Sequence, residues 1–307
     1  MNTRRQFLKT ASSALLLPLI MTKEKPNRLS LAFSTLGCPK WDFTKILDFA
    51  AQHGFRGIEL RGLEGNLDLP SHPIFAPDRI QQTKRQIQAS KLTIASVSSS
   101  VNLYMPDPEK RTKELADGRR FIDLAATLGC PYVRVFGGKD EADKSPAPDA
   151  ETKARVAAGL RELGNYAAPK GVTVMIESHD HFTSSATLKD VLREADSEHV
   201  ALLWDAYHTF ADGNEDPELT VRQLGKWIRH THLKDSSDKQ ENYVLTGRGI
   251  VPIERQISAL RGIGYKGFFC FEWEKLWHPD LAEPEIAIAD FAHVVGDCMG
   301  NARACGL

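Results

Sequence analysis

"VTVMIE" (172–177) and, one helix-length further on, "VALLW" (200–204) are apolar at nearly every position. A strand with one wet face alternates apolar and polar residues. Runs without alternation belong to a sheet covered on both faces, as parallel strands joined by helices are. The pattern repeats outward in both directions. Upstream lie "LSLAF" (29–33), "GIEL" (57–60), "LTIASV" (92–97) and "YVRVF" (132–136); downstream lie "IRHTHL" (228–233) and "GFFCFE" (267–272). Between them run helical stretches such as "FTKILDFAAQH", "KELADGRRFIDLAATLG" and "ARVAAGLRELGNYAAPKG", the last two closed by glycine or proline stop signals. Eight strand–helix units over about 280 residues predict an α/β fold, a single (β/α)8 TIM barrel. A doubly wound open sheet is the competing layout. No strand is followed by its Gly-rich dinucleotide turn, and "GRGIVP" (247–252) offers only G-x-G and follows no strand directly.

Composition bounds the function. With 39 basic and 40 acidic residues in 307, and a net charge of −1, the chain has no electrostatic reason to bind nucleic acid. Cys38, Cys130, Cys270, Cys298 and Cys305 include no C-x-x-C pair, so buried free thiols are expected rather than disulfides or a zinc ribbon. The opening "MNTRRQFLKTASSALLLPLIM" has a basic head and an apolar stretch too short to span a bilayer. Its T-R-R-Q-F-L-K resembles a twin-arginine export signal. The expected division is therefore a signal peptide at 1–25 and the barrel at 26–307. It implies a periplasmic or otherwise exported protein with no stable membrane association after export. "KDEADKSPAPDAE" (139–151) reads as a polar surface loop after the fourth strand.

Barrel chemistry sits where the strands finish. The last four strands end in Glu177 ("VMIES"), Asp205 ("LLWDA"), His232 ("HTHLKD") and Glu272 ("FCFEW"), at spacings of 28, 27 and 40 residues. The first two spacings are one strand–helix unit each; the third is lengthened by the loop "KDSSDKQENYVLTGRG". Singly, a strand-end Asp is commonly a helix cap and a lone His a core residue. Together, three carboxylates on one rim would repel one another, and a divalent cation removes the conflict. One imidazole with three carboxylates suits Mn²⁺, Co²⁺, Mg²⁺ or Zn²⁺. His208, three residues past Asp205, would contact whatever the metal holds.

The set "IESHD", "WDAYH", "HTHLKD" and "GYKGFFCFEWE", with "TGRGIVPIERQISALRGIGYKG", resembles the sugar isomerase/epimerase superfamily of xylose isomerase-like TIM barrels. The resemblance covers the chain from about Arg28 to its end. It implies one divalent metal ion on Glu177, Asp205, His232 and Glu272, with His208 as a substrate contact. It also implies a small-molecule sugar substrate and a homo-oligomer. Ketose epimerases of this type carry an arginine a few residues beyond the metal histidine; here "HLKDSSDK" offers only Lys234, which argues against a plain ketose 3-epimerase. Apurinic endonucleases of the superfamily need further histidines near the third strand and in the seventh loop. "SVSSSVNLYM" has none, and Tyr243 stands where the loop histidine should be.

The expected function is thus a metal-dependent sugar isomerase or epimerase on a non-phosphorylated sugar. Glu177 and Glu272 would be the catalytic carboxylates, moving a proton beside a metal-chelated carbonyl. A lyase acting on 3-keto-glycosides through the same enediolate is the alternative, and a non-catalytic, metal-stabilised sugar-binding barrel is the non-enzyme reading. Secondary substrate-binding candidates are His179, which shares the face of Glu177, Glu59 at the end of "GIEL", Arg248 between two glycines, and Trp273 beside Glu272, with Trp277 near it. His230 reads as barrel core and His53 as a helix C-cap.

Overall fold

The computed structural model describes residues 29–139 and 147–299. The expected signal at 1–25 and most of the loop at 139–151 lie outside the described residues. In chain order the elements are β1 (Leu31–Ser34), α1 (Phe43–Gln52), β2 (Gly57–Leu60), α2 (Ile80–Ser90), β3 (Thr93–Asn102), α3 (Pro108–Leu128) and β4 (Tyr132–Phe136). There follow α4 (Ala150–Ala167), β5 (Thr173–Glu177), α5 (Ser185–Ala195), β6 (Val200–Asp205), α6 (Ala206–Ala211), α7 (Pro217–Leu224) and β7 (Ile228–Leu233). A two-stranded hairpin, β8 (Asp235–Ser236) and β9 (Tyr243–Val244), precedes α8 (Ile253–Gly262), β10 (Phe269–Phe271) and α9 (Pro284–Phe291). Eight strands close a parallel barrel in the order β1-β10-β7-β6-β5-β4-β3-β2, the predicted (β/α)8 fold.

Local chemistry sets the helix ends. Asp42, Asp107, Asp149 and Ser184 accept the backbone N–H of Lys45, Lys110, Thr152 and Thr187, starting α1, α3, α4 and α5. Gly129 closes α3 at φ 72°, where a side chain is disfavoured, and donates its N–H to the carbonyls of Ala125 and Ala126. His53 is the C-cap of α1, its ring stacked on Phe49.

The core has two layers. Phe33, Ile58, Val133, Val135, Ile176, Leu202, Trp204 and Phe271 face outward into one large cluster with the helices. Two small clusters, Ala32–Ala95–Cys270 and Met175–Ala201–Leu203, fill the barrel interior. Because strand side chains alternate, the residues two positions beyond Met175, Leu203 and Cys270 also point inward, at the C-terminal mouth. They include Glu177, Asp205 and Glu272. The large outer cluster fixes the register, and the register delivers the charged residues to one place. Cys38, Cys130 and Cys270 are buried free thiols; burial pushes Cys130 up to about 12 and makes it inert.

Two strands depart most from the expected bounds. β3 continues to Asn102 through a serine-rich stretch, its ladder with β4 interrupted between Ser98 and Asn102. Serine has little strand propensity, so pairing with β4 rather than local preference extends it. β10 is shortened to Phe269–Phe271, although the Glu272 N–H still bonds the Leu233 carbonyl and holds the ladder geometry.

Candidate metal centre

Asp205 answers two demands at once. Its Oδ1 accepts the N–H of Tyr207 and His208, capping α6, while its Oδ2 faces the barrel axis. The Ser178 hydroxyl clamps the end of β6 by donating to the Asp205 carbonyl and accepting its N–H. Pairing of β6 with β7 sets Asp205 opposite His232, and pairing of β7 with β10 sets His232 beside Cys270, one layer below Glu272. As a result His232 Nδ1 lies 3.0 Å from Glu177 Oε1, 3.1 Å from Glu272 Oε1 and 3.8 Å from Asp205 Oδ2. Glu177, Asp205, His232 and Glu272 each present one donor atom, and all four lie within 4.8 Å of one another.

The far side of His232 is held as firmly. Its Nε2 lies 2.9 Å from Glu59 Oε2, and the same oxygen is 3.0 Å from His230 Nε2. All three side chains are fully buried. A histidine whose Nε2–H donates to a carboxylate keeps its Nδ1 lone pair free for a metal and its ring orientation fixed. Lys234 occupies the other flank, donating to Asp205 Oδ2 (2.8 Å), Glu272 Oε2 (2.5 Å) and Glu274 Oε1 (2.7 Å). Tyr243 also donates to Glu274, from the β9 hairpin strand. Arg134, on β4, places its Nε 3.0 Å from Glu177 Oε2 and donates through Nη1 to the Ser99 carbonyl.

Electrostatics follow from this packing. Burial opposes the charged forms of Glu177, Glu272, Glu59, His232, Lys234 and His208, and at each of these the neighbours win. Glu177 is held down to about 2 by Arg134 and His232. Glu272 is held well below the usual carboxylate range by His232 and Lys234, and Glu59 likewise by His232 and His230. His232 is raised well above its ordinary value by Glu272, Glu59 and Glu177, and Lys234 by Asp205, Glu272 and Glu274. His208, raised to about 9 chiefly by Asp205, places its Nδ1 2.8 Å from Asp212 Oδ2. Its buried Nε2 has no hydrogen-bond partner among the described residues.

The donor set fits a divalent ion. Donors held about 2.0–2.2 Å from one ion stand roughly 3 Å apart when adjacent, close to the spacing around His232 Nδ1. Charge agrees. The buried carboxylates Glu59, Glu177, Asp205, Glu272 and Glu274 face the permanent cations Arg61, Arg134 and Lys234, a deficit of two charges with His232 neutral. Asp235, also buried, stands apart, because its oxygens are taken by the N–H groups of Ser236, Gly247, Gly249 and Val251.

Not every candidate reaches this centre. His208 and His179 stand together at its edge, ring centroids 4.3 Å apart, with Phe136 beyond His179. Lys234 lies inside the cluster, bonded to ligand carboxylates instead of open to a substrate. Glu59 does not line an open pocket; it sits beneath the ligands and holds His232, and His230 is buried core as expected. Arg248 stands away from the centre: its loop turns outward and it pairs with Asp290. Trp273 stands away as well. Alternation turns it away from Glu272 into the outer core, stacked near Phe271 with its N–H on the Ala282 carbonyl, while Trp277 is half exposed. Sequence reasoning missed Arg134, Arg61 and Glu274, although a charged residue inside the apolar "YVRVF" was a signal in itself.

Comparison with known proteins agrees with the fold. The inosose dehydratase of Geobacillus thermodenitrificans is 26% identical over 297 residues, 85% of this chain and 94% of that one. The 3-dehydroshikimate dehydratase of Bacillus anthracis is 28% identical over 203 residues, 64% of this chain and 67% of that one. Among solved structures, an L-ribulose 3-epimerase superposes with a TM-score of 0.73 at 18% identity, covering 90% of this chain and 95% of that one. Residues 47–293 match the family model described as "Xylose isomerase-like TIM barrel". The chain belongs to the xylose isomerase-like TIM barrel family.

Proposed function

We propose that the protein is a divalent-metal-dependent enzyme acting on a non-phosphorylated polyhydroxy ketone, and that it is a dehydratase: it removes the proton beside the carbonyl and expels a neighbouring hydroxyl. The observation that carries this reading is an asymmetry between the two outer carboxylates. Glu177 on β5 and Glu272 after β10 form the two ends of the four-strand ligand arc. Among the described residues Glu177 Oε2 accepts no hydrogen bond and meets the Arg134 guanidinium, whereas Glu272 Oε2 accepts from Lys234.

A divalent ion held by Glu177, Asp205, His232 and Glu272 would supply the Lewis acid that polarises the carbonyl and acidifies the adjoining C–H. Glu177 is then the base, taking the proton on Oε2, with Arg134 keeping that oxygen in place. His208 faces the centre with a free Nε2 and is anchored through Nδ1 to Asp212, so it can hand a proton to the departing hydroxyl. Glu272 is less free to move a second proton while Lys234 holds it. The dehydratase relatives support elimination as the outcome.

A second reading, sugar epimerase or isomerase, is favoured by the presence of Glu272 on the opposite end of the arc. It requires Lys234 to leave Glu272 during turnover. The twin-arginine-like segment at 1–25 supports an exported location, in which unphosphorylated substrates are the natural class.

The test is to incubate the Mn²⁺-loaded protein with an inosose and with simple ketoses in D₂O, following products by mass spectrometry. Loss of one water, abolished by Glu177→Gln, is the expected result. A product that keeps its water and gains deuterium would replace the dehydratase with the epimerase. Neither dehydration nor exchange would leave a sugar-binding barrel.

A further inference from the structure

Arg61 is a buried cation that the reaction above does not use. It follows Leu60 at the end of β2 and lies two residues beyond Glu59, so alternation directs it inward at the barrel mouth. Its backbone is fixed. The Thr35 hydroxyl accepts the N–H of Arg61 (3.0 Å) and of Gly62 (3.2 Å) and donates to the Gly62 carbonyl. The residue is 5% exposed, and its Nη1 has no hydrogen-bond partner among the described residues. Glu177, Glu272 and Glu59 act on it only at Coulombic range, Arg134 repels it, and burial brings it down to about 10.

The other two buried permanent cations meet partners of their own at close range. Arg134 holds the Ser99 carbonyl, the Glu177 carboxylate and the face of Phe136, and Lys234 holds three carboxylates. A buried guanidinium N–H left unmade is costly, and the carboxylates of the centre offset that cost only from a distance. Strand order places β2 opposite the ligand arc, separated from β10 by β1 and from β5 by β4 and β3. A substrate held on the arc would extend toward Arg61 across the mouth. A planar fork of donors is complementary to a carboxylate.

We infer that Arg61 anchors a carboxylate of the substrate, so that the substrate is a polyhydroxy keto acid and not a neutral ketose. The inference rests on the reaction site proposed above and refines its substrate class. Among the described residues the cation nearest in effect, Arg134, is committed to Glu177 and the Ser99 carbonyl, and a single guanidinium fork suits one carboxylate better than a phosphate.

Calorimetric titration of the Mn²⁺-loaded full chain tests this with D-fructuronate, D-fructose and D-fructose 6-phosphate. Fructuronate should bind tighter than fructose by on the order of tenfold or more. Arg61→Gln should erase that preference while neither Mn²⁺ affinity nor the melting temperature falls, since no native hydrogen bond is lost and a cation beside the carboxylates is removed. Arg61→Lys should keep part of the preference, and a structural role alone would predict a lower melting temperature instead. Equal affinities in the wild type, a preference that survives Arg61→Gln, or tighter binding of the phosphate ester would overturn the assignment. Deuterium exchange into a neutral ketose without fructuronate preference would remove the anchor and leave the reaction. Fructuronate preference without exchange or dehydration would keep the anchor and remove the reaction.

Discussion

Replacing Glu59 with glutamine tests whether the metal histidine is held from below. The single oxygen Oε2 accepts from two imidazoles, at 2.9 Å from His232 and 3.0 Å from His230, in a fully buried place. Glutamine is isosteric, so packing survives, but the charge goes and both bonds weaken to neutral strength. Its amide nitrogen would also occupy the position of Oε1, which has no partner, leaving a buried donor unmet. Loss of an outer partner of this kind lowers metal affinity by about 10–100-fold, or roughly 1.4–2.7 kcal/mol. The assay is competition for Co²⁺ against a chelator at pH 7, with circular dichroism confirming the fold. An affinity within twofold of wild type would refute the argument that Glu59 sets the tautomer of His232.

Other substitutions probe the same balance. Lys234→Met leaves Asp205, Glu272 and Glu274 without their shared ammonium, so the metal-free protein should lose about 3–5 kcal/mol. Saturating Mn²⁺ should restore much of it, read as a larger metal-induced shift in melting temperature than wild type shows. Metal uptake at pH 7 should release about one proton, because His232 is held cationic in the metal-free protein and must give up its Nδ1 proton. Affinity should therefore fall about tenfold per pH unit as pH drops below the raised value, measured by titration in buffers of different ionisation heat. Gly249→Ala would bring a Cβ to 2.2 Å from Asp235 Oδ1 and from the Ser236 carbonyl. Both are fixed by the loop's own hydrogen bonds, so thermal unfolding should show a loss of roughly 1–3 kcal/mol.

Much of this site is legible in the sequence because the barrel converts strand position into spatial position. Glu177, Asp205, His232 and Glu272 terminate consecutive apolar runs, and the parallel register carries each to the same height. The same alternation excludes Trp273: if Glu272 points inward, its neighbour must point out. Arg248 misleads because a cation between glycines resembles a mobile loop contact, whereas its direction depends on how Asp235 folds the turn. Arg134 shows as a charge inside the apolar "YVRVF" and Arg61 shows as nothing unusual, but what either one meets is hidden for a different reason. Their neighbours Glu177 and Glu272 lie far along the chain, and local sequence carries no trace of that approach. The β8–β9 hairpin is too short for any period to show, though it delivers Tyr243 to Glu274.

The central claim is that one divalent ion sits on Glu177, Asp205, His232 and Glu272. Its most direct test is the metal content of the folded wild-type protein beside Asp205→Asn and Glu272→Gln, each equilibrated with Mn²⁺, Co²⁺ or Zn²⁺ and desalted. The account predicts one tightly held ion per wild-type chain, and a lost or much weakened ion in both variants with the fold intact. A wild-type protein that retains no ion, and gains no thermal stability from any of the three, would contradict it.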